Sequence, residues 1–449
     1  MAADYRGLSF WHATVDDDLT PRASLPGNMD ADVAIIGGGL TGLWTAYYLL
    51  RQDPDLRVVV LEKQIAGFGA SGRNGGWCSA LFPASPAALE RRHGHRPAVA
   101  MRRAMVDTVD EVGRVVAAEG IDCDYVRGGT VSFVRSAAQL VRARAEIAEA
   151  ERFGEPRTLL EERAVFDPAC ATLHPAKLVR GLARAVERRG GLIYERTDVL
   201  GWRPHRVRTR RGTVTANTVV LAAEGYRATL AATHRSVLPL YSLMIATEPL
   251  PDSVWRSIGI EHGQSFTDFR HMLVYGQRTA DNRIAFGGRG ARYHWGSSIR
   301  PGYDRSPRVF EHLRRALVDL VPHAAGAAIT HQWGGPLGVP RDWHASVQFD
   351  PATRLGSAGG YVGDGLSTTN LAGRTLAELI TGIELISGTE SPLTRLPWVN
   401  HQSPRWEPEP LRFLGANLGL AAMAAADVEE SLTGRPSVFA KLVGPLVGH

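Results

Sequence analysis

"ADVAIIGGGLTGLWTAYYLL", residues 31–50, joins a short β-branched run to a helical one across a cluster of glycines. DVAIIG reads as a buried strand, and LTGLWTAYYLL carries apolar residues at helical spacing. Between them stands Gly37-x-Gly39-x-x-Gly42. In that arrangement the first glycine permits a tight turn, the second lets the backbone approach a pyrophosphate, and the third lets helix pack on strand. The helix start, with Leu40 and Thr41 in its first turn, offers free N–H groups and a positive dipole end to phosphates. Alone, the pattern also fits a structural glycine turn. The context favours a dinucleotide: RVVVLEK, residues 57–63, is a second strand ending in Glu62, twenty residues after Gly42, where a carboxylate accepts hydrogen bonds from the adenosine ribose. The same acid opposes a ribose 2′-phosphate and disfavours NADP.

Farther out, AGFGASGRNGGWCSALFP, residues 66–83, is too rich in glycine and polar residues for a second crossover helix to start cleanly. Ser71, Gly72, Arg73, Asn74, Gly75 and Gly76 read either as a backbone-rich cradle for a larger cofactor or as a flexible surface loop. Strands are expected at GGTVSFVRS and LPLYSLMIATEPL, and HMLVYGQRTADNRIAFGGRG reads as a hairpin turning at Asp281–Asn282. Helical runs near 100–118, 136–152, 176–189 and 307–320 surround them.

With 449 residues, the chain holds two or three lobes or one nucleotide-binding domain broken by insertions. Its 44% hydrophobic and 22% charged residues suit a sizeable core and exclude a disordered protein. Of 51 basic residues only Lys63, Lys177 and Lys441 are lysines, and the clusters RTRRGT and ERRHGHR are isolated and free of interleaved aromatics. That footprint argues against a nucleic-acid partner. Cys78, Cys123 and Cys170 are widely spaced and read as buried reduced thiols of a cytoplasmic protein. The first 30 residues lack the basic start and apolar run of a signal peptide, and no window approaches the roughly 18 uncharged apolar residues of a spanning helix.

IIGGGLTGLWTAYYL, LEK and GASGRNGG together resemble the D-amino-acid-oxidase superfamily of FAD-dependent amine oxidoreductases, within it the γ-glutamylputrescine oxidoreductase-like branch. The resemblance spans most of the chain. It implies an α/β fold, α+β overall, in which a Rossmann-like FAD-binding domain of the glutathione-reductase type is interrupted by a mixed-sheet substrate domain. The FAD domain is expected at 1–90, 156–235 and 331–400, the substrate domain at 91–155 and 236–330, and a C-terminal helical extension at 401–449. FAD is then the cofactor, touching Glu62 and Lys63 of LEK and the Ser71–Gly76 segment. By the same resemblance the backbone of Val199 comes to the adenine, while Ala222, Ala223, Glu224 and Gly225 pass the diphosphate. RLGSAGGYVGDGLSTTNLAGRTLAELITG is similar to the family's closing motif, and Gly360, Gly363, Asp364, Gly365, Leu366 and Ser367 match positions that approach the flavin ring. Independently of kinship, a helix beginning near Leu366 points N–H groups and partial positive charge ahead of itself. Aimed at the N1–C2=O edge of a flavin, it stabilises the charge of the reduced ring.

The implied substrate is a small-molecule amine or amino acid, which gives up hydride from the carbon next to nitrogen. Molecular oxygen or an electron carrier then takes the electrons. The resemblance places substrate contacts on or beside HMLVYGQR, at His271, Tyr275 and Arg278, with Arg270 alongside, and a further position at Trp333, with Tyr241 of similar standing. Strand alternation would turn His271, Leu273, Tyr275 and Gln277 one way and Arg270, Met272, Val274, Gly276 and Arg278 the other. No cysteine follows Cys170, which favours non-covalent FAD and leaves Cys78 as the alternative attachment point. MLVYGQRT also lacks the lysine that the sarcosine-oxidase branch uses with oxygen. The apolar tail packs on its own protein, on a partner subunit in an oligomer, or on a membrane surface. An NAD-dependent dehydrogenase and a flavin-holding regulatory protein without turnover stand as alternatives.

Overall fold

The computed structural model describes residues 4–382 and 391–443. The opening stretch forms the strand Met29–Ile36 at the centre of a parallel sheet. Val58–Leu61 pairs with it on one side and Thr213–Leu221 on the other, so Ile36 lies between Leu61 and Leu221. Leu192–Tyr194 extends the sheet beyond Val58–Leu61, and Leu355–Gly359 extends it beyond Thr213–Leu221. Ser346–Asp350 closes that edge antiparallel, and the hairpin Val199–Arg203/Arg206–Thr209 branches from Thr213–Leu221. Val58–Leu61 is buried throughout, as expected of a parallel strand covered on both faces.

Leu40–Gln52 and Gly365–Thr381 pack against each other on one face, flanked by Pro175–Arg188 and His95–Ala118. Two glycines permit that closeness. A Cβ at Gly42 would lie 2.1 Å from the carbonyl of Gly37, and one at Gly373 would lie 2.6 Å from Cβ of Trp44. Trp44 is thereby fully buried, and each comparably buried large apolar side chain contributes about 1.5–3 kcal/mol.

The second sheet has eight strands, in the order Ile329–Val339, Leu238–Thr247, Ile284–Gly288, Val274–Arg278, Ser265–Asp268, Thr130–Phe133, Ala164–Asp167 and Thr158–Leu160. It is mixed: Thr130–Phe133 runs parallel to Ser265–Asp268, and the other pairs are antiparallel. The expected hairpin turn forms, with Asn282 in the left-handed region at φ 64°. Pro307–Leu320 covers the sheet with Phe310, Leu313 and Leu317, spaced for one helical face.

Sheet membership moves three of the expected boundaries. Thr158–Leu160 and Ala164–Asp167, assigned to the FAD side, pair in the second sheet. Ile329–Val339 does so too, because it spans the full length of Leu238–Thr247 before the chain crosses back. Conversely His95–Ala118, assigned to the substrate side, buries Met101, Met105, Val109 and Val112 in the core beneath Gly365–Thr381. Of the expected C-terminal extension, residues 444–449 lie outside the described residues, as do 383–390 of the expected FAD segment. The remainder of the extension contains the helix Leu411–Thr433, which by length and composition is apolar enough to cross a membrane, although Arg412 and Asp427 break its run of uncharged residues.

Candidate functional site

A cavity of about 340 Å³ runs along the carboxyl ends of the parallel strands, where Met29–Ile36 parts from its two neighbours. Ligands of such sheets bind at this switch point. Gly37 makes the turn out of the strand at φ 113°, and a Cβ there would stand 2.5 Å from the carbonyl of Ala222. Gly39 is the N-cap of Leu40–Gln52 and lines the cavity with Leu40 and Thr41. Gly39 has no side chain to cap it, so the N–H groups beyond Leu40 are left for an anion. Ser71 borders the same turn, its hydroxyl accepting from the Leu40 N–H at 2.8 Å.

Glu62 lines one end with Lys63, Asp198 and Val199. Its carboxylate accepts from the N–H of Gly38 at 2.7 Å and of Gln64 at 2.8 Å. Burial nevertheless raises its pKa, with Glu195 adding like-charge repulsion. Lys63 reaches back to Asp198 at 3.2 Å and is largely exposed. Along the middle run Ala70, Ser71, Asn74, Ala222, Ala223, Glu224 and Gly225. The other end is lined by Pro336, Leu337, Gly363, Gly365 and Leu366. There the second buried helix, Gly365–Thr381, begins with Asp364 at the N-cap, which makes no side-chain capping bond. Burial pushes the Asp364 carboxyl up to about 6 despite Arg289 and Arg102 nearby.

Several expected contacts shape this cavity from behind and do not line it. Gly72 packs on His12, and Gly360, at φ 80°, packs on Pro340. Gly75 and Gly76 leave room for Tyr275 and Gln277, where added Cβ atoms would fall 2.5 and 2.2 Å from those side chains. Ser367 donates to the carbonyl of Ser79. Arg73 is buried and ties the Ser71–Gly76 loop to the second sheet, donating to Asp304 at 2.7 Å, to the Gly334 carbonyl at 3.0 Å and to the Tyr226 hydroxyl at 2.9 Å. Glu224 contributes its backbone, while its carboxylate accepts from the N–H groups of Gly360 at 3.0 Å and Tyr361 at 3.3 Å. Tyr361 in turn meets Thr41 at 3.0 Å, linking the closing turn to the first helix.

The expected substrate residues separate into two groups. Tyr275 and Trp333 come together with Trp77 beside the loop. The Tyr275 ring lies 5.7 Å from that of Trp77, and its hydroxyl is 2.9 Å from Ser242 Oγ. Trp333 donates to the Arg73 carbonyl at 2.9 Å. His271 and Arg278 lie elsewhere. The strand begins at Val274, so alternation does not reach back to 270–273, and His271 pairs instead with Glu430 at 2.9 Å. Arg278 sits at the hairpin end, bonded to Asn282 at 2.7 Å and stacked 4.7 Å over Trp255. Arg270 pairs with Asp268, and Tyr241 is buried edge-on to His294 and Tyr303.

Phe68, Tyr226, Leu337 and Tyr361 also line the cavity, and sequence reasoning missed them. Tyr226 directly follows Gly225, and Leu337 follows Trp333 at strand spacing, so both carried a signal. Arg289 was missed as well. It follows Gly287, which pairs with Tyr275, by two residues. Burial lowers its pKa, with the Asp364 carboxylate acting in the opposite direction. It donates to the Val362 carbonyl at 3.2 Å, beside Gly363 of the cavity.

The two helix starts, the Gly37 turn and the cavity between them fit an FAD. Cys78 is wholly buried in the core, and burial raises its thiol well above the usual range. It therefore presents no thiolate, and the residues fit a cofactor held without a covalent link.

A family model described as "DAO: FAD dependent oxidoreductase" matches residues 32–379. The γ-glutamylputrescine oxidoreductase of Escherichia coli strain K12 is 30% identical over 395 residues, covering 83% of this chain and 89% of that protein. The β subunit of sarcosine oxidase from Arthrobacter sp is 25% identical over 378 residues, covering 79% and 87%. Among solved structures, glycine oxidase from Geobacillus kaustophilus superposes with a TM-score of 0.66 at 21% identity, covering 83% of this chain and 99% of that one.

Proposed function

Because the chain belongs to the DAO family of FAD-dependent oxidoreductases, we propose that it oxidises a carbon–nitrogen bond in an amine that also carries a carboxylate. The observation that carries this reading is Arg289, a half-buried guanidinium that donates to the Val362 carbonyl beside Gly363 of the cavity and lies 5.1 Å over the Trp343 ring. Its planar fork suits a carboxylate, and a likeness to γ-glutamylputrescine oxidoreductase over most of the chain supports an amine.

FAD would be held by Gly37, Gly39, Leu40, Thr41 and Glu62 at one end and by Gly363, Gly365 and Leu366 at the other, and when bound it supplies a hydride acceptor. The start of Gly365–Thr381 directs N–H groups at that end and favours negative charge there. Tyr275, Trp77 and Trp333 form an aromatic wall that keeps water from the amine and orients it. Arg289 anchors the substrate's carboxylate, whereas the resemblance had placed a substrate contact at Arg278. Buried free thiols at Cys78, Cys123 and Cys170 support a cytoplasmic location.

The test is anaerobic addition of γ-glutamylputrescine, glycine, sarcosine and proline to the yellow protein, followed by flavin absorbance. Bleaching by a carboxylated amine is expected, with Arg289→Met raising its KM at least tenfold and changing KM for an uncharged amine little. No bleaching by any amine would leave a flavin-holding protein without turnover. Reoxidation in air then separates oxygen from a carrier as electron acceptor.

A further inference from the structure

The helix Leu411–Thr433 is amphipathic in the reverse sense. Its charged and polar side chains serve the body of the protein: Asp427 accepts from the N–H groups of His271 at 2.7 Å and Met272 at 2.8 Å. Glu430 pairs with Arg142 and His271, Asn417 bonds Tyr293, and Arg412 is buried against Glu409. The outward face is apolar. Leu411, Leu418, Ala425 and Leu432 recur every seven residues, with Leu414, Ala421 and Val428 between them, and all of these are exposed. Leu418 is 67% exposed and Leu432 81%. Val438, Phe439 and Trp295, the last packed on Phe413, are exposed nearby. A contiguous face of this size marks an interaction site.

We propose that this face is the two-fold seam of a homodimer, in which Leu411–Thr433 packs antiparallel on the same helix of a second copy of this chain. The pattern identifies the occupant. A strict seven-residue repeat makes the narrow stripe of a helix–helix seam, whereas a helix lying on lipid shows a broader apolar arc. The stripe is also complementary to its own reverse. With the axis at Met423, Leu414 meets Leu432 of the second copy, Leu418 meets Val428, and Ala421 meets Ala425. Leucine and valine layers thus close both ends, and alanine at the centre lets the backbones approach. Because the same residues serve both copies, the contact closes on itself and forms no chain of copies. The helix also lacks the exposed cations of a membrane-surface helix: its one basic residue, Arg412, is buried against Glu409.

The test is sedimentation equilibrium of the FAD-loaded full chain at micromolar concentration. Twice the 48.7 kDa chain mass is expected, falling to 48.7 kDa in Leu418→Glu with the flavin spectrum retained. A second pair of variants guards against misfolding. Mild oxidation of mixed Ala421→Cys and Ala425→Cys proteins should give a cross-linked dimer, since the native cysteines are buried, and a mixture of Leu414→Cys and Leu418→Cys should not. A wild-type protein of single-chain mass would overturn the proposal. So would a dimer indifferent to Leu418→Glu, or flotation with phosphatidylcholine–phosphatidylglycerol vesicles.

Discussion

Asp364 occupies an N-cap without capping, and its carboxyl is held up to about 6 by burial. The folded protein therefore binds a proton there that the unfolded chain, with an ordinary value of 3.8, has already lost. Stability from this group is complete below pH 3.8 and is lost as pH rises through 6. Asp364→Asn should accordingly stabilise the flavin-free protein at pH 8 by on the order of 1–3 kcal/mol, read as a higher melting temperature, and leave it unchanged at pH 4. An equal gain at both values would assign the effect to packing. Glu224 makes a related compromise, holding a left-handed backbone at φ 40° while its carboxylate braces the closing glycine turn. Such residues were legible only in part. The sequence marks them as polar groups beside glycines, but whether a carboxylate faces the ligand or the backbone depends on loops brought together from residues 224 and 360, far apart in the chain.

At the scale of the element, what local pattern dictates was readable. The β-branched strand, the glycine turn, the helix behind it and the hairpin at Asn282 all form where spacing placed them. What long-range pairing dictates was not. Residues from 331 on were expected on the FAD side, yet Ile329–Val339 stays in the second sheet because Leu238–Thr247 offers it a partner along its whole length. His271 was misplaced because it precedes the five-residue strand Val274–Arg278, where alternation does not reach, while Arg278, within the strand, faces away from Tyr275 and is held at the hairpin by Asn282. Arg73 shows how the two sheets are joined: one buried guanidinium holds Asp304, a carbonyl of Ile329–Val339 and Tyr226. Arg73→Ala leaves Asp304 without its partner and should cost roughly 3 kcal/mol. Thermal unfolding of the apoprotein would read this directly. A change below about 0.5 kcal/mol would mean that water replaces the guanidinium.

Across the whole molecule, residues 4–31 precede the matched family segment, and part of them is fastened to the cofactor loop. The short N-terminal helix Phe10–Thr14 lies over the cofactor loop, with Trp11 donating to the Asn74 carbonyl at 2.7 Å and Ser9 meeting the Gly72 carbonyl. His12 packs on Gly72, and His174 lies 3.0 Å from Thr14. Both imidazoles are pushed down to about 3, chiefly by burial and then by neighbouring cations: Arg73 at His12 and Lys177 at His174. The folded state keeps them neutral while the unfolded chain protonates near 6.5, so their contribution is whole above that value and is lost as pH falls towards 3. FAD release should therefore accelerate between pH 6.5 and 4, and His12→Gln should flatten that dependence if the segment retains its contacts. Flavin fluorescence after dilution measures both.

A clasp made of one five-residue helix also separates two properties usually measured together. The contacts along the cavity set how tightly the cofactor is bound at equilibrium, whereas the fraying of Phe10–Thr14 sets how often it has the chance to leave. Residence time would then follow a local opening of the chain's first turns, and a holoenzyme with unremarkable affinity would still keep its flavin through long dilution.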